Sequence, residues 1–69
     1  MNQFELCSRN LSAGYREILN TYNSFRLGCS SDQLKKEPAK SVLDYLETAL
    51  RAIEVARRGL AEVQGPTTD

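Results

Sequence analysis

The chain has no histidine, and with it goes the side chain best suited to passing protons near neutral pH. Its two cysteines, Cys7 and Cys29, stand 22 positions apart, and without histidine one chain cannot gather a four-ligand zinc shell from them. If one helix carries most of that interval, the thiols are about 30 Å apart at about 1.5 Å per residue, beyond disulfide reach within the chain. No sign of charge dominates, because nine Lys and Arg balance nine Asp and Glu. That balance removes the net field that draws a protein to nucleic acid or to an anionic membrane. No apolar run approaches the roughly 18 residues of a membrane span. The start, Met1-Asn2-Gln3-Phe4-Glu5, has neither the basic opening nor the apolar stretch of a signal peptide. The expectation is a cytoplasmic protein.

The remaining chemistry is equally sparse. Gly14, Gly28, Gly59 and Gly65 never cluster into a phosphate-cradling loop. Glu37, Asp44, Glu47 and Glu54 fall on surface positions or near helix starts rather than on the expected core, where a carboxylate becomes a general acid. Cys7 falls on a core stripe as a small buried filler, and Cys29 lies in an exposed connector. No catalytic residue, metal ligand or cofactor site is nominated, and the expectation is a protein without enzymatic activity.

What is present is helical periodicity. From Ala39 to Val63 an apolar residue occupies every step of a 3-4 spacing: Ala39, Val42, Leu46, Ala49, Ile53, Ala56, Leu60 and Val63. At 3.6 residues per turn this draws one stripe along a helix and demands a second helix beside it. The first half supplies one. Phe4, Leu11, Ile18 and Phe25 recur every seven residues, with Cys7, Gly14 and Thr21 between them and Tyr15 and Tyr22 on one flank. Asn2 and Glu5 form the signature of a capping box, and Gly28 is the expected left-handed stop, which places helix 1 at about 3–27. Residues 28–37 are the connector, in which Ser31 caps a turn around Leu34. Pro38 opens helix 2, about 38–64, because proline is tolerated at a first helical position. Gly65-Pro66 stops it, leaving a disordered tail at 65–69.

The fold expected is therefore all-α, one domain over 1–69: an antiparallel two-helix hairpin. Sixty-nine residues bury too little to be comfortable alone. Helix 2 has more apolar surface than one neighbour covers, since Leu43 and Leu50 widen its stripe on one side and Tyr45, Ala52 and Gly59 on the other. A homodimer of hairpins, a four-helix bundle, covers both flanks. Its core is expected from Phe4, Leu11, Ile18, Phe25, Leu43, Leu46, Leu50, Ile53 and Leu60. Lys40, Asp44, Glu47, Arg51, Glu54 and Arg58 fall opposite the seam as a solvated face, with Glu47-Arg51 and Glu54-Arg58 spaced four apart.

Leu6, Leu19, Leu27 and Leu34 fall off the seam. At helical spacing Leu19 is ringed by Arg16, Asn20, Asn23 and Arg26, next to Tyr15 and Tyr22. An aliphatic anchor among Arg and Tyr is the composition of a protein-recognition patch; the plain alternative is that a broad dimer core covers Leu19. The candidate partner-binding set is Tyr15, Arg16, Leu19, Tyr22, Asn23 and Arg26. The same arginines, with Arg9, Arg57 and Arg58, raise a rival reading as an RNA- or DNA-binding helical-hairpin dimer. Zero net charge and interleaved Glu5, Glu17, Glu54 and Glu62 weigh against it.

In size, charge, capping-box start at Asn2-Gln3-Phe4-Glu5 and two-helix plan through the Ala39–Val63 seam, the chain resembles small phage-encoded early proteins that bind and disable host proteins, in particular those directed against quorum sensing. That resemblance covers the whole chain as an architecture. It implies a dimeric hairpin in the host cytoplasm that inhibits a host regulator, namely a transcription activator of LuxR type, a pilus-assembly ATPase, or both. It assigns no functional residue.

Overall fold

The structure is a computed structural model that describes residues 2–65; of the tail expected at 65–69, Gly65 is described and caps the last helix, and residues 66–69 lie outside the described ones. The described chain is helical with no strand: α1 spans Gln3–Gly28, α2 Ser31–Leu34 and α3 Ala39–Gln64. α1 opens on a reciprocal box. The Glu5 amide donates to Asn2 Oδ1 at 2.7 Å and the Asn2 amide donates to Glu5 Oε1 at 3.4 Å, which satisfies donors that a helix start leaves free.

The connector departs from the sequence expectation in three places. Gly28 is not a left-handed stop: α1 runs through it, and Cys29 ends the helix in an extended conformation (φ −106°, ψ 148°). The cap of α2 is Ser30, not Ser31, because Gln33 stands three residues after Ser30 and completes a second box. Its amide donates to Ser30 Oγ at 3.1 Å, and the Ser30 amide donates to Gln33 Oε1 at 2.8 Å. Two extended residues, Cys29 and Ser30, thus make the turn without a positive φ. Pro38 precedes α3 rather than opening it, and its carbonyl accepts from the Val42 amide at 3.1 Å. A proline offers no side-chain acceptor, and Glu37 supplies one. Its carboxylate accepts from the Ser41 amide at 3.2 Å and from the Ser41 hydroxyl, a negative group where the helix dipole favours one. α3 closes at Gly65 (φ +82°), whose amide reaches the Ala61 and Glu62 carbonyls at 3.2 and 3.0 Å. That conformation is open to glycine and strained for other residues.

α1 packs along α3, and α2 touches α3. Tyr22 meets Glu47, and Gly14 lies beside Ile53, so a later position on α1 meets an earlier one on α3. Among the described residues only Ala39 is buried; the shared seam is half-buried. On α3 it contains Val42, Leu43, Leu46, Ala49, Leu50, Ile53 and Leu60. On α1 it is Leu11, Tyr15, Ile18, Tyr22 and Phe25, in 4-3-4-3 steps, continued by Cys29 just past the helix end.

The α1 seam is therefore rotated from the expected one. Its second row is Tyr15, Tyr22 and Cys29 rather than the expected Cys7, Gly14 and Thr21, of which only Gly14 stays half-buried, because two large rings and a half-buried thiol supply more contact area than glycine and threonine do. Cys7 moves to the margin with that row and is exposed rather than a buried filler. Thr21 is exposed as well, its hydroxyl donating to the Glu17 carbonyl at 2.9 Å. Phe4, expected in the core, is 40% exposed, and Val63, near the end of α3, is 69% exposed. The molecule is a rod of 54 × 18 × 14 Å with a radius of gyration of 15.9 Å, against about 11 Å for a globular chain of this length.

Candidate protein-binding face

The candidate residues occupy one strip of α1. Tyr15, Leu19, Tyr22 and Arg26 follow at steps of four, three and four, which stacks them along one side of the helix. Tyr15 and Tyr22 are half-buried against α3; Arg16, Leu19, Asn23 and Arg26 are exposed. Leu19 is 37% exposed at the middle of the strip.

Tyr22 is fixed from two sides. Its hydroxyl donates to Glu47 Oε2 at 2.8 Å across the seam, and the Arg26 guanidinium carbon stands 5.7 Å from its ring centroid. The hydrogen bond to Glu47 raises the Tyr22 phenol above its usual value; partial desolvation and the carboxylate charge act in the same direction, while Arg26 opposes them. Glu47 is thus a correction: expected on the solvated face opposite the seam, it is half-buried and bound to Tyr22, because the rotated seam brings α1 toward its side of α3.

Asn23 and Arg26 line a hollow of about 420 Å³ together with Leu27 and Leu34. The sequence marks both leucines as off-seam yet gives no reason to join them to the strip. Their meeting depends on the turn at Cys29 and Ser30, which sets Leu34 of α2 beside the end of α1. Leu27 is 88% exposed and Leu34 half-buried. Tyr15 is placed apart from this hollow, in a groove of about 300 Å³ with Leu50, Arg51, Glu54, Val55 and Arg58. A third cleft, about 430 Å³, is lined by Phe25, Cys29, Ala39 and Val42 with Asp32, Lys36 and Glu37 at its edge. No sequence signal marks that cleft beyond the apolar Phe25 and Val42.

Among the described residues, no group of three or more His, Cys, Asp or Glu side chains is arranged to hold a metal ion, and no helix is long and apolar enough to cross a membrane. What the strip offers chemically is two oriented aromatic rings and guanidinium donors, the groups that most often carry energy in protein interfaces, around an aliphatic contact. Comparison with family models, with curated proteins and with solved structures gives no match to this chain, so the functional reading rests on this geometry.

Proposed function

We propose that the chain is a non-enzymatic, protein-binding regulator that works by occupying a surface of another protein. In this reading α1 and α3 act as an antiparallel hairpin, two copies associate as a four-helix bundle, and the α1 strip of Tyr15, Arg16, Leu19, Tyr22, Asn23 and Arg26 faces the partner. The observation that carries it is Leu19, which stays exposed beside a tyrosine already anchored to Glu47 and stacked by Arg26. An anchored ring loses little entropy on binding, so a partner gains its contact area at low cost. The Leu27 and Leu34 hollow extends the same strip toward the connector.

The family resemblance suggests the class of partner: a host transcription activator of LuxR type or a pilus-assembly ATPase, met in the host cytoplasm. Leu19→Asp is expected to reduce partner capture at least tenfold while helicity and dimerisation stay unchanged. Loss of the dimer in that variant would place Leu19 in the subunit core and refute the reading. Binding that vanishes after nuclease treatment and falls steeply with salt would favour nucleic acid instead, through counterion release.

A further inference from the structure

α3 has a second lengthwise face that α1 does not cover. Tyr45, Thr48, Ala52, Ala56, Gly59 and Val63 advance eighteen residues in five steps, the 3.6 average that keeps positions in line on a helix. Tyr45, Val63 and the neighbouring Val55 are 75%, 69% and 61% exposed, and Thr48, Ala52 and Ala56 are exposed too. None of these residues is charged, whereas Asp44, Arg51 and Arg58 run along one border. Charge depletion within a charged rim is the composition of an interface centre. The chain exposes 5396 Å², while a compact monomer of its 7.7 kDa exposes about 4,300 Å². The surplus of about 1,100 Å² is of the size that one partner in a stable interface loses, about 800 Å².

We infer that this face of α3 is where a second copy sits, with the two α3 helices antiparallel about a two-fold axis at Ala52. The inference rests on the homodimer proposed above and adds its face and polarity. The axis follows from the residues. Two-fold symmetry at Ala52 sets Ala52 on Ala52, Thr48 on Ala56, and Tyr45 on Gly59 of the second copy. The most exposed ring on the face thereby meets its only glycine, and a Cβ built at Gly59 has nothing within 4 Å in the single chain, leaving room for that ring. A parallel pairing would set Tyr45 on Tyr45 and leave the space at Gly59 unfilled. Of the α1 strip, Tyr22 lies beside Glu47, and Tyr15 shares a groove with Arg51, Val55 and Arg58 at the border of this face; Leu19, Asn23 and Arg26 are not among those border residues and stay open to a partner in the dimer.

The test uses the full chain with Cys7→Ser and Cys29→Ser. Tyr45→Cys and Gly59→Cys chains, mixed and mildly oxidised, are expected to give the mixed disulfide in large excess over either homodimer, and Ala52→Cys to cross-link to itself. Gly59→Ala is expected to raise the dimer dissociation constant at least tenfold, because the methyl enters the space of the ring. Gly28→Ala, equally free of neighbours, is expected to leave it unchanged. A wild-type dimer in which only Tyr45→Cys homodimers form, or in which Leu19→Cys cross-links while Ala52→Cys does not, overturns the face or its polarity and leaves the dimer standing. A wild-type chain that is monomeric in sedimentation equilibrium overturns both.

Discussion

Tyr22 concentrates most of what single residues contribute, because one phenol joins the seam, the carboxylate of Glu47 and the guanidinium of Arg26. Its raised value has a definite consequence with pH. A group whose folded value lies above its unfolded one stabilises fully below the unfolded value, near 10 for tyrosine, and that contribution fades as pH rises through the folded value. The Tyr22–Glu47 contact should therefore persist across neutral pH and open only in strong alkali. Ultraviolet titration of the phenolates checks this: Glu47→Gln is expected to shift the Tyr22 transition to lower pH, and an unmoved transition would remove the hydrogen bond as its cause. Sequence periodicity placed Tyr15 and Tyr22 on a flank, since a seven-residue repeat of Phe4, Leu11, Ile18 and Phe25 admits a second row on either side. Ring area and a carboxylate 25 positions away decided between them, and no local spacing contains that information.

At the scale of elements, sequence and structure agree most closely at the two outer ends, the start of α1 and the end of α3. Asn2 with Glu5, and Gly65 after Gln64, act through neighbours three or four residues away, so their chemistry is visible in the chain itself. The connector is harder to read because Ser30 and Ser31 are equally good caps in isolation, and only the position of Gln33 separates them. Glu37 completes the start of α3 where Pro38 has no acceptor to offer. Glu37→Ala is thus expected to lower stability by about 0.5–1 kcal/mol, in line with the loss of a helix cap, measured by thermal or denaturant unfolding. No change would mean that water serves the Ser41 amide equally well. Gly14 makes a contrasting case. A Cβ there would meet Ile53 Cδ1 at 4.0 Å, an ordinary contact, so Gly14→Ala should stabilise α1 by up to about 1 kcal/mol through helix propensity. The close backbone approach that a glycine in the seam suggests is not enforced at this point.

For the whole molecule, the dominant fact is how little one chain hides. A rod 54 Å long, in which only Ala39 is buried among the described residues, holds its large side chains half in water. The all-helical class was legible in the 3-4 spacing of Ala39 to Val63, because that pattern depends only on helix geometry. The Leu27 and Leu34 hollow was not legible, since it arises from the path of the connector rather than from either helix alone. On this account the exposed face of α3 and the α1 strip divide the work: one holds a second copy and the other meets a partner. Ala52→Glu, a charge at the centre of the first face, is expected to yield monomers of reduced helicity, while Arg16→Ala on the second is expected to leave assembly intact.

Two hairpins in one bundle double the mass of the molecule in solution. Sedimentation equilibrium at tens of micromolar is expected to return twice the 7.7 kDa chain mass, with a helical circular-dichroism spectrum. A stable, fully helical species of one chain mass under the same conditions would contradict it.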